Sequence, residues 1–241
     1  WDLSIIIPAY NEEDRLGPSL NAIVDYAGRA RQAVEILVVD DGSTDRTAEL
    51  ARERLAGVEG ARVLANGVNR GKGFSIRHGV LQARGANLLV TDADLSTPIQ
   101  EADRLLSDLR SLGHGIVIGS RALKDSRVEI HQNPVREMMG KAFNRLVRLL
   151  TGLPFGDTQC GFKVMTRRDV LPIFSKARVD GFGYDVELLF VAARWGVPVR
   201  EVPVIWRDAV GSKVGMLVDP CRMLRDVLRV RRWHRKGFYD A

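Results

Sequence analysis

The sequence predicts an α/β fold in which a mostly parallel sheet carries helices on both faces. Short apolar runs alternate with longer helix-like stretches through the first 120 residues. The runs are almost continuously apolar, which is typical of strands buried on both sides. The chain has 241 residues, of which 45% are hydrophobic and 27% are charged, so it can bury a substantial core.

The predicted elements follow one another in a strand–helix–strand rhythm. Ser43, Thr44 and Asp45, for example, are predicted to cap a helix that begins at T-A-E-L-A-R-E-R-L. Such a rhythm produces parallel strands, and ligands of parallel sheets bind beyond the carboxyl ends of the strands. The apolar runs predicted to be strands are 3–7, 35–39, 61–65, 87–91 and 115–119.

Polar segments follow these five runs, and their acidic and basic groups are interleaved around one expected crevice. A single polar loop would be unremarkable, because loops are generally polar. The clustering of charge after successive strands is therefore the first functional signal. The segments are P-A-Y-N-E at 8–12, D-D-G-S at 40–43, N-R-G-K-G at 69–73, D-A-D at 92–94 and G-S-R at 119–121.

Two common nucleotide motifs are absent from the glycine-rich stretch R-G-K-G-F-S-I-R-H-G. Its glycines at 71, 73 and 79 do not match G-x-G-x-x-G, and Lys72 precedes Gly73 where a P-loop requires Ser or Thr. A dinucleotide fold of the usual kind and a P-loop NTPase are therefore disfavoured. The stretch still offers backbone N–H groups and an ammonium to an anion at a helix start.

Asp92 and Asp94 follow the fourth predicted strand one residue apart. On an extended segment the two carboxylates point the same way, and they repel unless a cation lies between them. Mg²⁺ or Mn²⁺ suits this pair, since such ions combine one or two carboxylates with substrate phosphates. Without the neighbouring charges, a solvated turn ahead of a helix at Pro98 would explain the pattern equally well.

The length of the apolar runs, the cysteine spacing and the net charge limit the possible classes of function. No apolar run approaches the roughly 18 residues that a spanning helix needs, and Cys160 and Cys221 have no metal-ligand spacing. We therefore expect a cytoplasmic protein that is soluble or peripheral to a membrane. The net charge is +6, and residues 219–241 carry seven basic against three acidic residues. This tail suits an anionic membrane, nucleic acid or a solvated helix.

The post-strand segments resemble the successive motifs of glycosyltransferase family 2, whose members are inverting enzymes of the GT-A fold that use nucleotide-diphospho sugars. The second half is similar to the dolichyl-phosphate β-glucosyltransferases, relatives of the dolichyl-phosphate mannose synthases. The resemblance covers essentially the whole chain, and it implies a catalytic domain at 1–215 followed by a basic amphipathic helical tail at 216–241. The second-half segments are R-E-M-M-G-K-A-F-N, F-G-D-T-Q-C-G-F-K, F-G-Y-D-V-E-L-L-F and E-V-P-V-I-W-R-D-A-V-G-S-K.

The resemblance also implies roles for individual residues. Asp92 and Asp94 would hold the metal and, through it, the diphosphate. Contacts to the base, ribose and nucleotide phosphates are expected from Pro8, Tyr10, Asn11, Glu12, Asp40, Asp41, Lys72 and Asp92. Catalysis and binding of the sugar and acceptor are expected from Ser120, Arg121, Arg136, Asp157, Gln159, Asp185, Glu187 and Lys213, among which Arg121, Arg136 and Lys213 surround phosphates.

Two positions depart from related patterns. Ser96 stands where the mannose synthases carry a Gln near the metal, which weakens a mannose assignment and leaves the third protein ligand open. Residues 191–195 read V-A-A-R-W and lack the Gln of the Q-x-x-R-W motif, so processive polysaccharide synthesis is disfavoured.

These observations predict transfer of glucose from UDP-glucose to a polyprenyl, dolichyl-type monophosphate, giving a β-linked lipid-phosphosugar. Mannose transfer from GDP-mannose is one alternative. Transfer to a hydroxyl acceptor, with Asp157 or Asp185 as general base, is another. A phosphate acceptor needs no base, because its second pKa is near 6.

A lipid acceptor is supported by a possible surface helix that contains Met139, Phe143, Leu146 and Leu150 at helical spacing among basic residues. Packing against the core would explain the same spacing. Trp233, Phe238 and Tyr239 in the tail are expected at a membrane interface on its cytoplasmic face, unless the tail is a docked helix. Nucleic acid is not an expected partner, because acidic strand ends oppose a phosphate backbone.

Overall fold

The computed structural model describes residues 1–130, 134–208 and 218–240. The strands of these residues are β1 (Leu3–Ala9), β2 (Val34–Asp40), β3 (Ala61–Ala65), β4 (Asn87–Val90), β5 (Ile116–Ser120), β6 (Arg127–Ile130), β7 (Lys163–Thr166), β8 (Val199–Pro203) and β9 (Ile205–Arg207). The helices are α1 (Glu13–Arg29), α2 (Thr47–Leu55), α3 (Lys72–Gln82), α4 (Glu101–Leu112), α5 (Pro134–Thr151), α6 (Arg167–Lys176), α7 (Tyr184–Arg194) and α8 (Val218–Arg235).

Within the described residues, seven strands form one sheet in the order β3-β2-β1-β4-β7-β5-β8, and β6 pairs with β9 in a small ribbon. The five strands predicted from the apolar runs are confirmed as β1 to β5, with ends within two residues of those expected. All five run parallel to one another. Between β4 and β5 lies β7, which is antiparallel to both neighbours. The predicted mostly parallel sheet is therefore confirmed, with one reversed strand near its centre.

Each face of the sheet has its own apolar core, because successive strand residues point to opposite faces. Ile6 of β1 packs with residues of α3, α6 and α7, such as Ile76. Ile5 and Ile7 pack on the other face with residues of α1 and α4, such as Leu105. Helices therefore cover both faces, and the polar groups are left at the strand ends.

The predicted start of α2 at Thr47 is also confirmed, but the N-cap residue is Arg46, whose side chain makes no capping hydrogen bond. Oδ1 of Asp45, one residue earlier, accepts hydrogen bonds from the Thr47 N–H at 2.9 Å and from the Thr47 hydroxyl at 2.5 Å. Asp45 thus satisfies an N–H group that has no partner within the helix.

The basic tail contains α8, which docks on the core through Val227 and Val230, both at most 1% exposed. Arg222, Arg225 and Arg229 stay on the exposed side. The expectation that the tail aromatics lie at a membrane interface is wrong for Tyr239, which is 2% exposed and packs in the core. Its burial follows from the turn after α8, which directs the chain back onto α7. No helix of the described residues is sufficiently long and apolar to cross a bilayer.

We predict that Val230→Asp lowers the free energy of unfolding by about 3 kcal/mol or more, because it places an unpaired carboxylate in the core. Leu228→Asp is the matched control on the same helix, where the native side chain is 50% exposed. It should change stability by about 0.5 kcal/mol or less. Urea denaturation followed by circular dichroism measures both, and equal losses would mean that α8 is not docked as described.

Candidate active site

The post-strand loops converge at one edge of the sheet, as predicted. Parallel register places Ala9 of β1 opposite Asp40 of β2 and Ile6 of β1 opposite Val90 of β4. The loops that follow these strands therefore leave side by side. Asp92 comes two residues after β4, at the centre of this edge.

Asp92 is surrounded by three cationic side chains from different elements. Its Oδ1 lies 2.5 Å from Nζ of Lys72, the first residue of α3. Burial would raise the pKa of Asp92, but the charges of Lys72, Lys163 and Arg121 outweigh that effect and lower the pKa below its ordinary value. Asp92 is therefore ionised at neutral pH.

Asp94 lies in a turn and not in the extended segment that we expected. The strand ends at Val90, and the turn is closed by a hydrogen bond from the Leu95 N–H to the Asp92 carbonyl at 3.2 Å. Leu95 has a φ of 47°, a strained conformation that persists where surrounding contacts fix the backbone. Oδ1 of Asp94 accepts the N–H and the hydroxyl of Ser96 at 3.0 and 2.9 Å. Ser96 thus orients Asp94.

The two carboxylates fit a divalent metal ion that is completed by phosphate oxygens. No group of three or more His, Cys, Asp or Glu residues in the described part of the chain suits a metal. Asp92 and Asp94 nevertheless both stabilise the charged form of the Lys72 ammonium. Burial alone would lower the pKa of Lys72, but the negative charges of Asp92, Asp185 and Asp94 raise it above its ordinary value. Oδ2 of Asp94 has a long contact of 3.6 Å to Arg15. Hard carboxylate oxygens of this kind suit Mg²⁺ or Mn²⁺.

Gly161 creates the space that the Asp92 carboxylate occupies. A Cβ atom at position 161 would overlap all three terminal atoms of the Asp92 side chain. Any other residue would displace Asp92 from the centre of the site. The sequence analysis did not single out Gly161, although its place immediately before an apolar segment in D-T-Q-C-G-F-K was a usable signal.

Lys163 and Asp185 form a buried ion pair beside Asp92. Nζ of Lys163 lies 2.6 Å from Oδ1 of Asp185, and the two side chains are 1% and 4% exposed. Lys163 also donates a hydrogen bond to the carbonyl of Cys160. Burial raises the pKa of Asp185 despite the nearby charges of Lys163 and Lys72. Asp185 was predicted from the sequence, whereas Lys163 was not.

Arg121 is held by Asp157 through both side-chain oxygens. Nε donates to Oδ2 at 2.7 Å and Nη2 donates to Oδ1 at 2.9 Å, and the Arg121 N–H also donates to Oδ2. Burial would raise the pKa of Asp157, but Arg121 lowers it to about 2. The backbone N–H of Gln159 donates to Oδ1 of Asp157 at 3.1 Å. Glu201, which the sequence analysis missed, accepts the N–H groups of residues 156 and 157 at 2.8 Å each.

The loop after β1 is tied to the loop after β2. The Asn11 N–H donates to Ser43 at 2.9 Å, and Oδ1 of Asn11 accepts the N–H of Thr44 at 2.8 Å. The Glu12 N–H donates to the Thr47 hydroxyl at 2.6 Å. Tyr10, the first residue after β1, is 36% exposed. These contacts give the first predicted nucleotide segment one fixed shape.

Asp40 and Asp41 are both buried and bind neighbouring backbone. Oδ1 of Asp40 accepts the Ser43 N–H at 3.3 Å. Asp41 accepts the N–H groups of Arg70 and Gly71 at 3.0 and 2.8 Å, and the amide of Asn66 at 2.7 Å. Asp41 therefore fixes the N-R-G-K-G loop that leads to Lys72.

The other predicted residues have different positions. Pro8 and Ser120 are buried at the ends of β1 and β5. Glu187 lies outside the group around Asp92: its carboxylate accepts the N–H groups of Arg178 and Val179 and the hydroxyl of Tyr239. A buried carboxylate with these partners fixes backbone and not a sugar, which corrects the role expected for Glu187. Lys213 and the side chain of Arg136 lie outside the described part of the chain.

Comparison with solved structures supports the fold. The "glucosyl-3-phosphoglycerate synthase" of Mycobacterium tuberculosis, crystallised with Mn²⁺, UDP-glucose and phosphoglyceric acid, superposes with a TM-score of 0.73 at 19% identity, covering 95% of this chain and 79% of that one. The "mannosyl-3-phosphoglycerate synthase" of Rubrobacter xylanophilus gives 0.71 at 25% identity, covering 98% and 75%. The predicted GT-A fold is thereby confirmed.

Sequence comparison also finds curated proteins that are similar over nearly the whole chain. Proteins named "Dolichyl-phosphate beta-glucosyltransferase" are 37% identical in Drosophila melanogaster and 34% identical in Homo sapiens. The alignments cover 95% and 96% of this chain, and 74% and 76% of the two relatives. The family model described as "Glycosyl transferase family 2" matches residues 4–171. The chain therefore belongs to glycosyl transferase family 2.

Proposed function

We propose that the chain transfers glucose from UDP-glucose to the phosphate of a dolichyl-type polyprenyl phosphate, with inversion at the anomeric carbon. The observation that carries this proposal is the cluster of Asp92, Asp94 and Lys72 at the end of β4, which suits a diphosphate held with a divalent ion. The glucosyl group and the dolichyl-phosphate acceptor are those in the names of relatives that share more than 30% identity with nearly the whole chain, and UDP-glucose is the sugar nucleotide crystallised with the Mycobacterium tuberculosis neighbour.

The donor side of the site is built from acidic and basic groups that match a nucleotide diphosphate. Asp92 and Asp94 would hold Mg²⁺ or Mn²⁺, which when bound supplies Lewis-acid neutralisation of charge on the leaving diphosphate. The ammonium of Lys72 stands at the N-terminus of α3, where the helix dipole adds to its attraction for phosphate oxygens. Tyr10 and the segment after β2 would flank the base and ribose.

The acceptor side requires a fixed positive charge more than it requires a base. An oxygen of the lipid phosphate attacks the anomeric carbon, and the bond from that carbon to the diphosphate oxygen breaks, so UDP leaves with the electron pair. The attacking oxygen is already largely anionic at neutral pH, and no proton must be removed. Arg121, whose orientation is fixed by Asp157, would hold the acceptor phosphate.

The hydroxyl-acceptor alternative requires a general base. Asp157 is poorly suited, because a carboxylate with a pKa of about 2 has little affinity for a proton at neutral pH. Asp185 is the better candidate, since burial raises its pKa. Mannose transfer from GDP-mannose is less favoured, because the relatives are named for glucose and Ser96 replaces the Gln of the mannose synthases.

We also propose that one face of α5 rests on the cytoplasmic surface of an anionic membrane. Phe143 and Leu150, expected on a membrane-facing stripe, pack instead against the core. The most exposed apolar side chains described on α5 are Met138 at 65% and Leu149 at 81%, and Leu146 of the predicted stripe is 36% exposed. Met138 and Leu149 are three turns apart on one side of α5, where Lys141, Arg145 and Arg148 are also exposed. Apolar and cationic groups on one helix face suit anionic lipid headgroups.

The donor and acceptor are tested by incubating the protein with Mg²⁺ or Mn²⁺, labelled UDP- and GDP-sugars, and a polyprenyl phosphate. We expect lipid-linked product with UDP-glucose, at a rate at least about tenfold above GDP-mannose, since a site built for one set of polar groups leaves them unpaired with another. Parallel reactions with the dephosphorylated polyprenol as acceptor are the control. If product formed only with a hydroxyl acceptor, the lipid phosphate would not be the acceptor, and the hydroxyl-acceptor alternative would take its place.

Asp94→Asn should lower metal-dependent turnover by about 100-fold or more, because it removes one anionic metal ligand worth several kcal/mol in the transition state. Asp25→Asn, which removes an equally negative but 69% exposed side chain on α1, should leave turnover unchanged. Calorimetry of UDP-glucose binding with Mn²⁺ should show the same contrast. Wild-type turnover of Asp94→Asn at saturating donor would exclude Asp94 from the metal site.

The double variant Met138→Glu with Leu149→Glu should weaken binding to vesicles that contain phosphatidylserine by about tenfold or more, because it removes apolar contact and adds repulsion. Leu81→Glu serves as control, since Leu81 is 42% exposed at the far end of α3. Vesicle co-sedimentation measures the binding. Unchanged sedimentation of the double variant would place the membrane contact elsewhere.

A further inference from the structure

Lys163 is a fully buried lysine whose charge contributes to the stabilisation of Asp92, but to which the reaction outlined above gives no contact with substrate. It is the first residue of β7 and pairs with Val90 on one side and Ile118 on the other, so it lies in the centre of the sheet. Its side chain is 1% exposed and thus cannot sample solvent. Its ammonium instead contacts Asp185 at 2.6 Å and the Cys160 carbonyl.

Stability alone does not explain this arrangement. Removing two charges from water costs several kcal/mol per ion, and buried ion pairs often contribute no more to stability than apolar groups of the same size. A buried pair does restrict its members to one geometry, because a charged group in the interior has few alternative partners. The useful property of Lys163 is therefore the orientation that it imposes on Asp185.

The position of Asp185 gives that orientation a consequence for the ligand. Asp185 lies in the first turn of α7, which packs against the start of α3, since a Cβ atom at Gly73 would lie 2.7 Å from Cβ of Tyr184. Lys72, the residue before Gly73, is the ammonium that contacts Asp92. The Asp185 carboxylate therefore borders the region where the diphosphate meets the sugar. The hydroxyl of Tyr184, the preceding residue, is buried beside the Asp185 carboxylate, and burial together with that carboxylate raises the pKa of Tyr184.

We propose that Lys163 is a positioning residue that fixes Asp185 against the hydroxyl groups of the transferred sugar, with Tyr184 beside it. Lys163 acts through Asp185 and does not itself touch substrate. The proposal rests on the glucosyl transfer proposed above. It predicts that loss of Lys163 affects the sugar and its transfer, while contacts to UDP alone are retained.

The test compares Lys163→Met, Lys163→Arg, Asp185→Asn and the double variant Lys163→Met with Asp185→Asn. We expect Lys163→Met to lower kcat by about 100-fold, as misplacement of a reacting group by about an ångström does. Its Kd for UDP with Mn²⁺, measured by calorimetry, should stay within about threefold of the wild-type value, because Lys72 and Arg121 still stabilise the charge of Asp92 and a nucleotide without sugar makes no contact to Asp185. Lys163→Arg should recover about tenfold in kcat, since a guanidinium also pairs with a carboxylate.

The double variant separates positioning from a general structural role. If Lys163 acts through Asp185, the double variant has the same kcat as Asp185→Asn, because residues that act as a unit are not additive. The control is Arg62→Met, which breaks the 2.7 Å pair of Arg62 with buried Glu35 at the opposite edge of the sheet. It should lower the melting temperature and leave kcat and the Kd for UDP unchanged.

Two results would overturn the role of Lys163. One is multiplicative losses in the double variant, and the other is a fall in UDP affinity by Lys163→Met as large as the fall in kcat. Both presuppose that the unaltered protein forms glucosylated lipid. Absence of that product from the unaltered protein would instead overturn the proposed donor and acceptor, so the two failures are distinguishable.

Discussion

The rest of the site depends on the charge balance around Asp92. The side chain of Asp92 is 33% exposed, and partial burial favours the neutral form of a carboxyl group unless cations or hydrogen bonds stabilise its charge. Lys72, Lys163 and Arg121 supply that stabilisation, and each comes from a different part of the chain: the start of α3, the start of β7 and the end of β5. The fold must therefore bring three distant segments to one strand end. Asp157 and Asp185 in turn balance two of these cations.

The reversed strand β7 is the part of the topology that makes this balance possible. A strand parallel to β4 would enter the sheet at the opposite edge, and its preceding loop would lie far from Asp92. Because β7 is antiparallel, its first residue and the loop before it lie at the carboxyl ends of β4 and β5. One short segment then supplies Asp157, the space above Gly161 and the ammonium of Lys163.

The part of the site that follows the parallel strands could be predicted from the sequence. Strand–helix alternation fixes the direction of β1 to β5, so Asp40, Asp92 and Arg121 had to converge once those runs were identified. The contribution of β7 could not be predicted in this way, because its four residues have no strong periodicity and nothing local indicates its direction. The buried state of Lys163 was equally hidden, since lysine is ordinarily exposed and only its tertiary partners stabilise its charge in the core.

The turn at Asp92–Leu95 was mispredicted for a related reason. The apolar run suggested strand up to Thr91, and period-two alternation was extended beyond it. In the structure the chain turns away from β1 after the Thr91 N–H bonds to the Ile6 carbonyl at 3.1 Å, and the side chain of Ser96 satisfies Asp94 within the turn. Asp40, Asp41 and Glu187, which were predicted to touch ligand, likewise bind backbone, and so does Glu201, which was not predicted. Asp41 and Glu201 each accept two N–H groups of a loop that carries a charged side chain of the site. Because these loops are already fixed, little reorganisation is needed when charge develops on a departing diphosphate, and preorganised charge of this kind is the largest contribution to catalysis in many enzymes.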